Sequence, residues 1–376
     1  MAPFDLTGKD NTKVPAAMCF SSGTSGVPKG VALSHYNLIA HLLTVRTTSP
    51  FLHSSRTKEV FFPSYAHIYG LVSGILLPAF VGCHTVAMGQ FDFMAYLTRC
   101  AEIRATVLRV VPATAVRITK DPNVRKLDLK SVHTLMCAGA SLASETVKDL
   151  QNILSPEVKV LNGYGMTEAT IAMLREEQAR RAGSVGKPTS GVSVRIVDDN
   201  FKDVPEGTDG QCILKGPTVF MEYKDNPTAT AETFYDGWLC TGDIVRADED
   251  GFLWITGRKK ELIKFKGNQI APAELEAILL SHPLVADAGV CGIATDKDSE
   301  VPLGCVTLAS SVEARDIEEV LAGIKAFVEE RVAPYKRLRG GLFHVEELPK
   351  TSTGKLVRRK LAEMITEKRG AKASKL

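Results

Sequence analysis

Four short stretches of the chain concentrate glycines, hydroxyls and single charges in patterns suited to handling phosphate. The first is Ser21-Ser22-Gly23-Thr24-Ser25-Gly26-Val27-Pro28-Lys29-Gly30, directly after an apolar run. Gly23 and Gly26 let the backbone turn tightly and aim its N–H groups into a cavity. The hydroxyls of Ser21, Ser22, Thr24 and Ser25 add donors, and Lys29 adds positive charge. Such a loop suits a polyphosphate. Its spacing is not that of a Walker A loop, because the two glycines are too close and Gly30 follows the lysine. The same letters also describe a flexible Gly/Ser connection.

The second stretch is Asn162-Gly163-Tyr164-Gly165-Met166-Thr167-Glu168, after the apolar Val158-Lys159-Val160-Leu161. Gly163 and Gly165 flank a ring that can lie against a purine. A carboxylate such as Glu168, beside a triphosphate, is a natural Mg²⁺ ligand. A strand–turn–helix with Thr167 as the N-cap explains the same letters. The third is Thr241-Gly242-Asp243, with Arg258 fifteen residues on; an acidic side chain suits ribose hydroxyls, and arginine suits ribose or phosphate oxygens. The fourth is Pro349-Lys350-Thr351-Ser352-Thr353-Gly354-Lys355, either a mobile loop that delivers one lysine or an exposed turn before a basic helix.

The elements that position these stretches follow from periodicity. From about Ala16 to Ala140, short apolar runs (Ala17 to Phe20, Ala105 to Val111) read as buried strands. Phe91 to Ile103 has helical spacing, so an α/β layer with a mainly parallel sheet is expected. The apolar segment Tyr69 to Val81, broken by Gly70, Ser73, Gly74 and Pro78, reads as a buried helix too short to span a bilayer. From Gly183 to Thr256, short β-prone runs between turn clusters predict a small antiparallel sheet or distorted barrel. Beyond Lys260 the pattern mixes α and β again, with Pro272 placed for a first helical turn and Ile317 to Val332 amphipathic. The expected domains are 1–258, 259–365 and a basic tail over 366–376.

Composition bounds the function classes. Of 376 residues, 44% are hydrophobic and 24% charged, and net charge is only +3, which does not fit a nucleic-acid coat. The eight cysteines form no CxxC pair and no His/Cys cluster, so reduced, mostly buried thiols are expected. The first residues lack the pattern of a secretory leader, and a soluble protein is expected. The last three residues, Ser374-Lys375-Leu376, read as a peroxisomal address for an import receptor, on an extended Gly370–Ala373 spacer.

Together and in this order, the four stretches resemble the motif series of the adenylate-forming superfamily, nearest to 4-coumarate–CoA ligases and their acyl-CoA ligase relatives. Pro63-Ser64-Tyr65-Ala66-His67-Ile68-Tyr69-Gly70, Cys137-Ala138-Gly139-Ala140-Ser141-Leu142 and Glu261 to Glu276 are similar to further family segments. The resemblance implies a large N-terminal α/β domain with a small β subdomain and a small mobile C-terminal α+β domain. It implies an AMP-forming ligase that activates a carboxylic acid with ATP and Mg²⁺, then transfers it to coenzyme A.

Carried over, the Ser21–Gly30 loop holds the β/γ-phosphates, Thr167 the α-phosphate and Glu168 the metal. Tyr164 lies against adenine with Gly139 and Gly163 nearby; Asp243 and Arg258 hold the ribose and nucleotide. Lys355 bridges carboxylate and α-phosphate, His67 lies at the acyl pocket and CoA path, and Tyr69, Ser73, Ala138, Gly139 and Gly165 line the acyl pocket. Lys260 is the hinge, and Lys264 to Gly267 line the CoA channel. A fatty-acid or secondary-metabolic role is implied. The phosphate loop starts unusually early for the family, so an incomplete first layer with uncovered apolar surface is expected. A non-catalytic nucleotide-binding remnant, or transfer to a carrier protein, are the rival expectations.

Overall fold

The computed structural model describes residues 5–21, 28–138, 142, 144–170, 172–173, 176–181, 183–295, 300–309, 312–313, 316–350 and 356–373. The chain divides into two compact units. One contains Met1–Val110, Pro122–Ala138 and Gln151–Ile255; the other contains Val111–Asp121, Gly139–Leu150 and Thr256–Leu376.

In the first unit, β1 (Pro15–Ser21) and β2 (Lys29–Ser34) pair antiparallel. Ser34 caps α1 (His35–Thr48): its hydroxyl accepts from the Asn37 N–H, and the Asn37 side chain accepts from the Ser34 N–H. That reciprocal box fixes the helix start. The Asn37 amide also donates to the carbonyls of Pro217 and Val219 at 2.8 Å each, tying the start of α1 to a distant loop. β3 (Lys58–Phe61) precedes a π-helical turn, Gly70–Leu76, which runs into α2 (Leu77–Val81) and then β4 (His84–Ala87), parallel to β3. Asp92 caps α3 (Phe93–Glu102) by accepting from the Ala95 N–H.

β5 (Val107–Val110), β6 (Thr134–Ala138) and β7 (Lys159–Gly163) form a parallel sheet in that order, with Arg109 beside Met136 and Met136 beside Leu161. All four residues of β5 are buried, as in a parallel strand covered on both faces. In sequence, α4 (Pro112–Lys120) and α5 (Ser144–Ile153) follow β5 and β6. Short pairs come next: β8 (Gly165–Met166) with β9 (Ala169–Thr170), and β10 (Ala172–Met173) with β11 (Lys187–Pro188).

The expected antiparallel sheet is present. β12 (Ser193–Val197) and β13 (Gly210–Lys215) pair antiparallel, while β14 (Glu222–Tyr223) leaves to pair with β2. After α6 (Pro227–Glu232), β15 (Phe234–Tyr235) and β16 (Trp238–Ala247) complete the order β12-β13-β16-β15. β17 (Leu253–Arg258) crosses from the first unit into the second. The core here includes Val31, Tyr164, Leu214, Phe220, Tyr223, Leu239 and Leu253.

Two expectations need correction. Ala17 to Phe20 does not form a buried strand: Cys19 is buried, but Met18 is 49% and Phe20 64% exposed, because β1 is an edge strand with one face open. Tyr69 to Val81 is not one buried helix. It changes from π to α geometry at Leu77, and Ile75 and Phe80 are exposed.

In the second unit, β18 (Ile263–Phe265) and β19 (Asn268–Ile270) form a hairpin. Its two turn residues, Lys266 and Gly267, both have positive φ (46° and 79°), as two-residue hairpin turns require. α7 (Pro272–Ser281) starts at its proline as expected. β20 (Val285–Ile293) pairs antiparallel with β21 (Val301–Leu308), and β22 (Gly341–His344) is parallel to β21. α8 (Ile317–Glu329) buries Ile324 and Val328 in a core with Leu275, Leu279, Val290 and Val306. α9 (Arg358–Ala373) is held at its start by Arg358, which donates to Glu261 at 2.5 Å and to both oxygens of Glu276 at 2.8 and 3.0 Å. The helix backbone continues through Gly370–Ala373, where an extended spacer was expected; Ala371, Lys372 and Ala373 are compatible with helix. Among the described residues, no helix is long and apolar enough to cross a membrane.

Candidate active site

The second stretch does not enter a helix. β7 ends at Gly163, and Thr167 and Glu168 occupy the turn of the β8–β9 hairpin, so the N-cap explanation for Thr167 fails. Burial then presses both into the interior: Thr167 is 6% and Glu168 5% exposed. An ionisable carboxylate that deep needs a partner. It has one in Tyr223, whose hydroxyl donates to Glu168 Oε1 at 2.8 Å. The Glu168 carbonyl also accepts from the Phe220 N–H at 2.8 Å, fixing the turn against the β14 approach.

Lys29 opens β2, and its ammonium lies 4.7 Å from the centroid of the Tyr223 ring. One ring therefore links the cation of the first stretch to the carboxylate of the second. Burial first, and the Glu168 carboxylate next, hold the Tyr223 phenol protonated far above its ordinary range. Tyr223 was not expected in the site. Its local context, Met221-Glu222-Tyr223-Lys224, carries no signal beyond an aromatic next to charges.

The third stretch meets the second directly. Asp243, 3% exposed, accepts a 2.6 Å hydrogen bond at Oδ2 from the Tyr164 hydroxyl. Its own N–H donates to Thr241 Oγ1 at 3.0 Å, and that hydroxyl donates to the Cys212 carbonyl at 2.9 Å. Gly242 sits between them at φ 75°, the left-handed conformation that a Cβ disfavours, so Asp243 is turned inward by a backbone bend only glycine takes easily. Desolvation pushes the Tyr164 phenol well up, and the adjoining Asp243 charge pushes it further. Burial likewise pushes the Cys212 thiol up to about 12.

Gly163 is required by packing: a Cβ there would come within 2.9 Å of Met136 Cε. Gly165 is not, since its nearest neighbour would be 3.8 Å away. His67 is half-buried and its Nδ1 accepts from the Tyr69 N–H at 3.1 Å, which fixes the ring against its own turn. Ser21, 8% exposed, ends β1 at the mouth of the first stretch. In the second unit, Arg258 lies 3.8 Å from Glu261, and Lys264 and Gly267 belong to the β18–β19 hairpin, with the Lys264 N–H donating to Glu300 at 2.8 Å. Ser22, Gly23, Thr24, Ser25, Gly26, Gly139 and Lys355, and the terminal Ser374-Lys375-Leu376, lie outside the described residues.

The residues of the first unit thus form two linked groups, Lys29–Tyr223–Glu168 and Tyr164–Asp243, whose phenols Tyr164 and Tyr223 belong to one core cluster. Among the described residues no group of three acidic, His or Cys side chains gathers as a metal cage. A single buried carboxylate fits Mg²⁺, which takes one or two carboxylates and fills its remaining positions with phosphate and water oxygens.

Comparisons with known proteins bear on the family and the fold. Residues 7–224 match the family model described as AMP-binding enzyme, and residues 274–355 match the AMP-binding enzyme C-terminal domain. The chain is 36% identical over 357 residues to the probable 4-coumarate–CoA ligase 3 of Dictyostelium discoideum, covering 94% of this chain and 64% of that protein. It is 37% identical over 361 residues to the peroxisomal OPC-8:0-CoA ligase 1 of Arabidopsis thaliana, covering 93% and 64%. The chain thus spans less than two thirds of the length of these relatives. The ATP-bound crystal structure of MatB from Rhodopseudomonas palustris superposes with a TM-score of 0.82 at 26% identity, over 95% of this chain and 69% of that one. The matched architecture, with a larger α/β part followed by a smaller C-terminal domain, is that expected from the motif series. The chain belongs to the AMP-binding enzyme family.

Proposed function

We propose that the protein is an AMP-forming acid–thiol ligase. A carboxylic acid attacks the α-phosphate of ATP, forming an acyl-adenylate as pyrophosphate leaves. The thiolate of coenzyme A then attacks the acyl carbon, and AMP departs as the thioester forms. The observation that carries this reading is the buried Tyr164–Asp243 pair beside the Glu168–Tyr223–Lys29 set, within a chain whose relatives are named CoA ligases.

In this reading Asp243 accepts from the ribose hydroxyls, with its orientation held by Tyr164, and the Tyr164 ring faces the base. Lys29 and the loop Ser21–Gly30 neutralise the departing phosphates, and Thr167 donates to the α-phosphate. Glu168 holds Mg²⁺, which when bound spreads the charge of the phosphate oxygens. Lys355 meets the negative charge that gathers between carboxylate and phosphorus, electrostatic stabilisation of the transition state. The segment 259–365 serves as a lid hinged at Lys260, and the Lys264–Gly267 hairpin lines the path of coenzyme A after it turns. His67 lies on the acyl and thiol path. The terminal Ser374-Lys375-Leu376 is the address read by the peroxisomal import receptor, in keeping with the peroxisomal ligase among the relatives. Secondary or fatty-acid metabolism is its setting.

Purified protein supplied with ATP, Mg²⁺, coenzyme A and a panel of acids releases AMP and acyl-CoA in equal amounts on this reading. No acid-dependent AMP release across a broad panel refutes it. The exposure of Met18 and Phe20 on β1 favours a second reading, a nucleotide binder without ligase turnover. ATP binding without acid-dependent pyrophosphate exchange is the result that selects it.

A further inference from the structure

Apart from the nucleotide motifs, the first unit holds an open cavity of about 550 Å³, lined by Glu177, Arg180, Arg181, Lys187, Asp250 and Phe252. That volume suits a small molecule. Its walls come from three places: the 3₁₀ turn Glu176–Arg180, strand β11, and residues 248–252, which lead into β17. An antiparallel bridge joins Gly186 to Leu253, which sets Lys187 opposite Phe252. The Lys187 ammonium accordingly lies 4.6 Å from the centroid of the Phe252 ring, and the Arg181 guanidinium lies 4.3 Å from it.

These walls are held by their own hydrogen bonds. Arg181 donates to Asp248 and to Asp250. Asp248 also accepts at Oδ1 from the N–H groups of Asp250 and Phe252, at 3.1 and 2.8 Å, which fixes its turn. On the 3₁₀ turn, Gln178 is 2% exposed and donates to the carbonyls of Ser184 at 2.6 Å and Asn162 at 2.9 Å. Fixed walls spare a ligand part of the ordering cost of binding. The charges are left uneven. Arg181 and Asp250 answer each other, whereas among the described residues Arg180, Lys187 and Glu177 take part in no ion pair, so two cations face one carboxylate.

Two such cations suit a phosphate, which arginine meets with a planar fork and lysine with a point charge. An ionised carboxylate only accepts, so Glu177 suits a hydroxyl rather than a second anion. Phe252 offers no face to a nucleobase, because it is 3% exposed and two cations already lie against its ring. We propose that this cavity binds a small phosphomonoester carrying hydroxyls, of the sugar-phosphate or polyol-phosphate class. Its phosphate lies between Arg180 and Lys187, and a hydroxyl donates to Glu177. The site shares no residue with the Lys29–Tyr223–Glu168 and Tyr164–Asp243 groups.

The test is titration calorimetry of the full chain, with saturating ATP present, against glucose 6-phosphate, ribose 5-phosphate and glycerol 3-phosphate. Glucose and inorganic phosphate are the controls. At least one ester is expected to bind about tenfold tighter than inorganic phosphate, while glucose gives no heat of binding. Arg180→Gln/Lys187→Gln is expected to weaken that ester about tenfold or more and to leave the affinity for ATP unchanged. Glu177→Gln removes the preference over inorganic phosphate. Should the double variant fail to fold, Arg180→Gln alone, at an exposed position, is expected to weaken the ester severalfold and decides the matter. Binding of none of the esters, or inorganic phosphate binding as tightly as each of them, overturns the inference. So does an affinity that survives the loss of Arg180, or an ester that binds only when ATP is withheld.

Discussion

The hydroxyl of Tyr164 donates to Oδ2 of Asp243 at 2.6 Å, joining the residue between β7 and β8 to strand β16, 79 residues on, in the interior of the first unit. A hydrogen bond to a buried carboxylate contributes about 1.5–3 kcal/mol and, here, also aims the carboxylate. Tyr164→Phe is therefore expected to weaken ATP binding by about tenfold or more, and to lower the melting temperature. Titration calorimetry and a thermal melt check both. Unchanged affinity would separate the pair from nucleotide binding.

Glu168 depends on Tyr223 in the same way that a metal ligand depends on the groups around it. Tyr223→Phe removes the 2.8 Å bond to Glu168 without removing the carboxylate. The Mg²⁺ concentration that half-saturates AMP release should rise about tenfold in this variant, the usual scale for loss of an outer partner, and further in Glu168→Gln. A Mg²⁺ dependence that stays the same in both variants would remove Glu168 from the metal role.

Arg109 donates through Nε to Glu59 Oε2 at 2.7 Å, with both side chains buried, and the pair makes a stability prediction independent of substrate. Removing one partner of a buried pair leaves an uncompensated charge, at a cost of about 3–5 kcal/mol, whereas replacing both with apolar groups is far cheaper. Arg109→Met should thus be strongly destabilising, and Glu59→Leu/Arg109→Met much less so. Denaturant unfolding of the first unit provides the comparison, and two variants of equal stability would contradict it.

Burial lowers His41 to about 4; it also holds His53 well below its ordinary 6.5, with the Arg109 charge adding to it. Both folded-state values are depressed, so the unfolded chain takes up protons first as pH falls. The stability these neutral rings permit is whole above pH 6.5 and is lost on descent toward pH 4, by about 3 kcal/mol for His41. Melting temperature should fall steeply over that window, and His41→Gln should flatten the slope. A melt that does not respond between pH 6.5 and 4 would refute this.

What was legible from residues alone was whatever is local. Pro272 opens α7, and the antiparallel sheet between Ser193 and Ala247 follows from its short β-prone runs. Tyr164, Glu168 and Asp243 were each recognisable within their stretch, yet their partners were not, because each partner arrives through tertiary contact. Tyr223 reaches Glu168 from 55 residues away, and Arg109 reaches Glu59 across 50. Arg109 was hidden by its setting, since Val107-Leu108-Arg109-Val110-Val111 reads as one buried apolar strand with a stray charge. The expectation of burial failed for Met18 and Phe20, because apolar composition alone does not say whether both faces of a strand are covered.

The account stands most directly on acid-dependent exchange of labelled pyrophosphate into ATP, measured for the unaltered chain and for Asp243→Ala. Exchange stimulated by at least one acid, and reduced about a hundredfold or more in a folded Asp243→Ala protein, is the expected result. A chain that binds ATP but shows no exchange with any acid, or an Asp243→Ala protein that exchanges as fast as the original, contradicts it.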